Sequence, residues 1–441
     1  MATPHPPSTT PAGTGRCPFT GHSAPEDPGT GMSGAAVPGP ATTGGARASE
    51  WSPDRNETFG SAHADYAALR EQNPFPWSTD YGGFWAATTY ADILAITQDD
   101  ELFSTAKQNV VPHVPRVSRR PPLHFDPPEH TDYRTAIDPV FRRSVVTEHV
   151  GAFRDSARRL VDGMLMESSP DGVRHLAAPF AMDCFASLLG LARDQAREIR
   201  EIGVRYGFAI QDMDNPVIEE CSKRLYEIAR EIYDRRLTED PDPSRDLVAS
   251  LHRAALDPET AITQTSAVAT IRQLIVAGMG APQAVLGSCI AHLATDVDLQ
   301  EHLRTHPEDL PSAIEEMLRL HAPYRVFART AKRDTVVHGR AVAQDEPIAL
   351  IFPSANRDET RFEDPDTFVL RRKQNSHLSF GRGSHKCPAA TMGRLELLVA
   401  LEELLARTGT FSLAGDIVMM NWLEYGPRSI PLTLRPADRK P

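Results

Sequence analysis

The chain has 441 residues, is 40% hydrophobic and carries a formal net charge of -12. It is long enough for one large domain with a sizeable core, and its acidity speaks against nucleic acid or another polyanion as partner. Cys17, Cys184, Cys221, Cys289 and Cys387 stand singly with no CxxC pair, which argues against a zinc site or a disulfide framework and for a reducing compartment. No uninterrupted apolar run approaches the roughly 18 residues of a membrane span, and the N-terminus lacks an apolar signal core. The composition predicts a soluble, cytoplasmic protein.

Residues 1–50 are rich in Pro, Gly, Ser and Thr and almost free of large apolar side chains. Such a segment cannot bury enough surface to offset chain entropy, so a disordered tail is predicted. Cys17-Pro18-Phe19 is either part of that bland tail or a small functional motif. From Ser61 the pattern changes. Ala62–Glu71 has helical spacing, Phe84–Thr89 reads as a strand led by Gly82-Gly83, and Ala91–Thr97 is helical again. Residues 105–121 have several prolines and no periodicity, with Arg116, Arg119 and Arg120 making them basic. They read as a loop.

Asp126-Pro127-Pro128 supplies a cap residue and preset φ angles for a helix start. His130 and Arg134 then fall four apart on one helical face, either as a solvated surface or as a site for carboxylates. Residues 145–260 are helix-rich, with breaks at Ser169–Gly172 and Asp240–Pro243, and carry no motif. Residues 262–295 form one long, mostly apolar helical stretch centred on Ala277-Gly278-Met279-Gly280-Ala281-Pro282. Pro282 has no N–H for the carbonyl of Gly278, so a kinked, opened groove is predicted there. Its small residues suit either close approach of a ligand or cofactor or simple helix packing. Gln283 is the nearest polar side chain.

Pro311 opens a further helix bearing Glu316 and Arg319, three apart on one face. Tyr324-Arg325-Val326-Phe327 follow, then Arg329; Arg325 is either structural or a partner for a substrate carboxylate. Val418–Tyr425, between Gly415 and Gly426, reads as a hairpin.

The most informative stretch is His377-Leu-Ser-Phe380-Gly381-Arg382-Gly383-Ser384-His385-Lys386-Cys387. Glycines let the backbone pass close to a flat object. A helical pattern (Met392, Leu395, Leu398, Leu401, Leu405) follows Pro388. A helix N-terminus beside Cys387 favours a thiolate, and one thiolate suits a single bond to a metal.

This loop resembles the proximal haem signature of the cytochrome P450 family, Phe-Gly-x-Gly-x-His-x-Cys. Ala389 stands where the family usually has glycine. The resemblance spans roughly residues 60–435, with at least five motifs in order. It implies the cytochrome P450 fold, mainly α with small β-sheets (α+β), as one haem domain over residues 51–441 after the tail. It implies haem b, iron protoporphyrin IX, with Cys387 as axial ligand. Phe380, Gly381 and His385 belong to its binding loop, and His130, Arg134, Arg329 and His377 fall where the family contacts propionates. It implies a structural brace of Glu316, Arg319 and a loop arginine, with Arg372 best placed and Arg371 possible. Ala277, Gly278, Gly280, Ala281 and Pro282 fall on the distal oxygen-binding groove, and Tyr324, Arg325, Val326 and Phe327 on the substrate pocket. One departure bears on mechanism. The family's acid–alcohol pair, which holds the water that delivers protons, aligns with Gly280 and Ala281, and neither can relay a proton.

The resemblance therefore implies a haem-thiolate monooxygenase (EC 1.14) acting on a small, largely apolar molecule by hydroxylation or oxidative O-demethylation. No dinucleotide or P-loop fingerprint for a fused reductase is visible, so a ferredoxin and its reductase are expected as electron donors. Arg142, Arg143, Arg382 and Lys386 are candidates to dock that donor. The missing acid–alcohol pair raises peroxide-driven oxidation or oxidative coupling as an alternative, and a non-catalytic haem-binding accessory protein is a third. The substrate is not legible.

Overall fold

The computed structural model describes residues 47–53, 58–114, 119–420 and 422–437. Most of the predicted tail, with Cys17, and Arg116 of the basic loop lie outside these residues. The tail's predicted end at residue 50 is too late. Arg47 pairs with Glu346 at 2.7 Å, the Glu50 N–H donates to the Trp77 carbonyl at 2.8 Å, and Trp51 is buried. Arg47 also stacks over the rings of Trp77 and Trp85, so aromatic surface further along the chain anchors this polar segment.

The architecture is mainly α with small β-sheets. The predicted early elements are helices Ala62–Gln72 and Tyr90–Gln98 flanking strand Phe84–Ala87. Thr89 caps the second helix through the Asp92 N–H, satisfying one of its free donors. A five-stranded sheet runs in the order Trp77–Ser78, Phe84–Ala87, Pro347–Ile351, Val326–Ala331, Phe103–Ser104. Its central pair is antiparallel, with Phe327 opposite Leu350 and Arg329 opposite Ile348.

Helix Gln264–Thr295 crosses the helical core and touches helices Ala178–Leu188, Asn215–Thr238, Leu247–Ala255 and Ala390–Arg407. Thr263 and Ser266 close its N-terminus in a capping box. The helix is long and apolar enough to cross a membrane by composition, but 61% of its most apolar window is buried within the protein. It is a core helix, and it remains one helical segment across Pro282. Helix Leu310–Leu320 carries Pro311 in its first turn, as predicted. The helix after the cysteine begins at Ala390, with Ala389 as its cap, so Pro388 precedes it. A C-terminal hairpin forms, but strand Val418–Met419 pairs with Pro427–Ser429, so its second strand lies beyond the predicted stretch Val418–Tyr425.

Candidate functional site

The loop before the last long helix is fixed by its own backbone. The Gly381 N–H donates to the Leu378 carbonyl and the Cys387 N–H to the Phe380 carbonyl, both at 2.8 Å. Gly381 and Gly383 have φ of +67° and +71°, a region side chains disfavour. Arg134 donates to the carbonyls of Ser384 at 2.6 Å and Lys386 at 2.9 Å, and pairs with Asp138 at 2.7 Å. It thus buckles helix Glu129–Ile137 onto the loop. Burial pushes the Cys387 thiol up to about 11, outweighing the Ala389 N–H and the Arg134 charge that pull it down. The helix N-terminus acts in the expected direction but does not by itself make a thiolate; metal coordination does so outright.

Cys387 opens onto a cavity of about 340 Å³ with largely apolar walls, including Phe180, Phe185, Leu274, Val285 and Phe327. It is the one thiol among the lining residues. Phe380, Gly381, His130, Arg134, Arg329 and His385 line the same cavity. The rings of His130 and His385 lie 4.2 Å apart, and the buried Nε2 of His130 has no hydrogen-bond partner. Arg329 is buried; its Nη1 donates to the Ala328 carbonyl at 2.9 Å, and it has no ion pair among the described residues. Burial lowers His130 to about 4, with Arg134 adding to the effect, and lowers His385 to about 2, with Arg329 and His130 adding. Burial also lowers Arg329 to about 10. An unpartnered histidine nitrogen and a buried arginine with no counter-charge among the described residues are costly in an apolar cavity, and they fit a flat apolar group with an anionic edge whose metal takes one sulfur. The residues present therefore fit haem.

The opposite wall is helix Gln264–Thr295. Ala277, Gly278, Ala281 and Pro282 line the cavity, but Gly280 does not, contrary to its predicted place in the groove. A Cβ at Gly280 would lie 3.3 Å from Glu424 Oε1 and 3.6 Å from the Tyr324 hydroxyl, and one at Gly278 only 2.5 Å from the Phe185 ring. The close approaches permitted by these glycines are thus made by the protein's own side chains. Gln283 is not among the lining residues.

Three further expectations are corrected. His377 does not line the cavity: its Nε2 faces Glu315 at 3.3 Å, and its Nδ1 accepts from the Ser379 N–H. Arg325 takes its structural alternative, not a place on the pocket: it is fully buried, donating to the Tyr66 hydroxyl at 2.6 Å and the Trp422 carbonyl at 3.2 Å. Val326 packs in a separate core with Phe84 and Ile351. Strand geometry explains this. Residues 326 and 328 face that core while 327 and 329 face the cavity, because successive side chains alternate. Tyr324 and Phe327 do line the cavity.

The predicted brace is formed. Glu316 and Arg319 are fully buried and 2.7 Å apart, and Arg372 joins Glu316 at 3.0 Å. Arg371 pairs instead with Asp309. Sequence reasoning missed Glu424, a lone acid in the run Trp422-Leu423-Glu424-Tyr425 of the predicted hairpin, and Arg120, which also lines the cavity. An acid among apolar hairpin residues was the available signal for the first; for the second the loop offered only its basic composition.

The sequence model of the cytochrome P450 family matches residues 215–413. Steroid C26-monooxygenase of Mycobacterium tuberculosis is 30% identical over 363 residues, covering 80% of this chain and 88% of that one. Linalool 8-monooxygenase of Pseudomonas putida is 28% identical over 372 residues, covering 80% and 90%. A solved cytochrome P450 from Chondromyces apiculatus superposes with a TM-score of 0.76 at 25% identity, covering 86% of this chain and 96% of that one. With such likeness sustained across the fold and around the thiol loop, the chain belongs to the cytochrome P450 family of haem-dependent monooxygenases.

Proposed function

We propose that the chain forms a single haem domain from about residue 47 onward, which would hold haem b through the sulfur of Cys387. It oxidises a small, largely apolar organic molecule in the cytoplasm, by hydroxylation or oxidative O-demethylation, using dioxygen and electrons from a ferredoxin and its reductase. The observation that carries this reading is the lone thiol of Cys387 on the wall of an apolar cavity with a basic edge. Bound there, haem supplies dioxygen activation, which a thiolate ligand promotes by favouring O–O cleavage.

The chain's own residues hold and orient. His130 and Arg329, with His385 beside them, would hold the propionates of the haem, and Arg134 fixes the loop as well as lining the cavity. Phe380 and Gly381 form the floor beside the sulfur. Ala277, Gly278, Ala281 and Pro282 shape the opposite wall, and Tyr324 and Phe327 border the substrate space. Apolar walls exclude water and select apolar molecules.

Reduced, haem-loaded protein under carbon monoxide is expected to show the red-shifted Soret band of thiolate ligation, and Cys387→Ala to lose it. A parent protein without the band would overturn the assignment of Cys387.

Arg142, Arg143 and Lys386 are exposed, and Arg382 is half-buried beside the loop. They suit an acidic electron donor. Lys386→Glu and Arg143→Glu should each slow ferredoxin-supported turnover at low salt, with the difference shrinking as salt rises. Equal turnover at low salt removes this face as the dock.

Peroxide-driven oxidation is the second reading, because Gly280 and Ala281 carry no proton donor. Dioxygen consumption with ferredoxin, set against turnover with hydrogen peroxide, separates the two.

A further inference from the structure

Inserting one atom of dioxygen into a C–H bond, with the other leaving as water, consumes two electrons and two protons. The protons must reach an apolar cavity from which water is largely excluded. Helix Gln264–Thr295 offers no acid or alcohol there: apart from the amide of Gln273, its lining residues are apolar or glycine. The cavity nonetheless has two carboxyl groups among its lining residues, Glu396 and Glu424. Glu396 sits on helix Ala390–Arg407, the helix that follows Cys387. Glu424 comes from the C-terminal hairpin and meets the opposite helix.

Two contacts set its position. Tyr324 and Glu424 form an antiparallel bridge, flanked by the Arg325 N–H donating to the Leu423 carbonyl at 3.0 Å and the Tyr425 N–H to the Pro323 carbonyl at 2.8 Å. Residues opposed in this way, between rather than within the hydrogen-bonded pairs, bring their side chains closest together on one face. Gly426 lies against the backbone of Ala284: a Cβ there would come 2.7 Å from the Ala284 carbonyl oxygen. Ala284 and Gly280 are one turn apart on the same helical face, so seating Gly426 on Ala284 brings Glu424 to Gly280. The bare Gly280 leaves the room into which Oε1 and the Tyr324 hydroxyl project.

We propose that Glu424, reaching the long helix from the C-terminal hairpin, is the proton-relay carboxyl of this enzyme, taking the place left empty by Gly280 and Ala281 and assisted by the Tyr324 hydroxyl. The inference rests on the monooxygenase reading above. Its second oxygen, Oε2, is buried and has no hydrogen-bond partner, so it is free to pass a proton to a water or a bound molecule in the cavity. Burial raises the carboxyl to about 7, near the value at which a group gives and takes protons equally well at neutral pH. Glu396, raised by burial to about 8, lies on the sulfur side and is not opposed to Gly280.

The test uses haem-loaded protein, a surrogate ferredoxin–reductase pair and measurement of dioxygen consumption in H2O and D2O. Glu424→Gln keeps the shape but removes the transferable proton. It is expected to slow dioxygen consumption on the order of 10²-fold and to enlarge the solvent isotope effect. Haem content and the carbon monoxide band should stay unchanged. The infrared spectrum should lose one protonated-carboxyl stretch and keep that of Glu396, which places the proton on Glu424; the enlarged solvent isotope effect is the change that a merely structural glutamate would not produce. Gly280→Asp in the Glu424→Gln background, which returns a carboxyl to the same gap, should recover part of the rate.

Unchanged consumption and isotope effect in Glu424→Gln would overturn the relay while the parent's carbon monoxide band leaves the family reading intact. A parent that turns over with peroxide but consumes no dioxygen overturns it too. Loss of the band in the parent overturns the reading of Cys387 and the inference with it.

Discussion

Glu316→Ala is expected to give protein that fails to retain haem and is recovered largely insoluble. Glu316 is fully buried and accepts from Arg319 Nη2 at 2.7 Å, Arg372 Nε at 3.0 Å, the Val369 N–H at 3.0 Å and Asn375 Nδ2 at 3.2 Å. Arg319 spends its other donors on the carbonyls of Asn356, Pro365 and Thr367. These contacts fasten helix Leu310–Leu320 to the segment 356–375 that leads into the thiol loop. Removing the carboxylate strands a buried guanidinium with no counter-charge. Breaking one partner of a buried pair costs roughly 3–5 kcal/mol, a large part of the ~5–15 kcal/mol that holds a typical native state. Glu316→Gln should be milder because it still accepts hydrogen bonds, although the charge is lost. Soluble yield, haem content and the thermal midpoint measure the effect. An alanine variant with parental haem content and a midpoint within a degree or two would show that the brace is dispensable.

The parts of the site written within one short stretch were the parts readable in advance. Phe380 to Cys387 lie within eight residues, and their order alone carries the loop, its glycine conformations and the sulfur. Glu316 and Arg319 meet because helix spacing makes them meet, and Arg372 followed from the family resemblance. Side-chain direction was not readable where it depends on strand pairing. Arg325 and Val326 occupy the same short run as Tyr324 and Phe327, yet the pairing of Val326–Ala331 with Pro347–Ile351 turns Val326 away from the cavity. Arg325 turns away into bonds with Tyr66 and Trp422. His377 was misplaced for a related reason. Its sequence neighbourhood is that of the haem loop, but its Nε2 faces Glu315 on helix Leu310–Leu320. Glu424 was missed because its meaning arises only when a hairpin near the C-terminus is laid on a glycine of the central helix. A motif read along the chain shows a gap at Gly280; only the tertiary contact shows what fills it.

Gly383→Ala should displace the thiol loop, whereas Gly381→Ala should be tolerated far better. Both glycines have positive φ, +71° and +67°, so each alanine carries a similar backbone cost of about 1–2 kcal/mol. Their surroundings differ. A Cβ on Gly381 finds its nearest neighbour, the His385 carbonyl oxygen, at 3.8 Å, an ordinary contact. A Cβ on Gly383 would lie 1.8 Å from the carbonyl oxygen and 2.8 Å from the carbonyl carbon of Thr97. No rotamer relieves that overlap, because the obstacle is backbone in the last turn of helix Tyr90–Gln98. Either this helix end or the loop must move, adding roughly 1–3 kcal/mol of overpacking. The loop has little freedom to yield. Ser384 donates to Asp100 at 2.9 Å, Arg134 grips the carbonyls of Ser384 and Lys386, and the Cys387 N–H is bonded to Phe380. A shift at 383 therefore passes to the sulfur four residues on. The thermal midpoint and the share of haem giving the thiolate-type carbon monoxide band report the two parts separately: strain lowers both variants' midpoints, but displacement of Cys387 lowers the band only in Gly383→Ala. If both variants lose the band equally, backbone strain alone governs the loop, and the contact with Thr97 does not hold the sulfur in place.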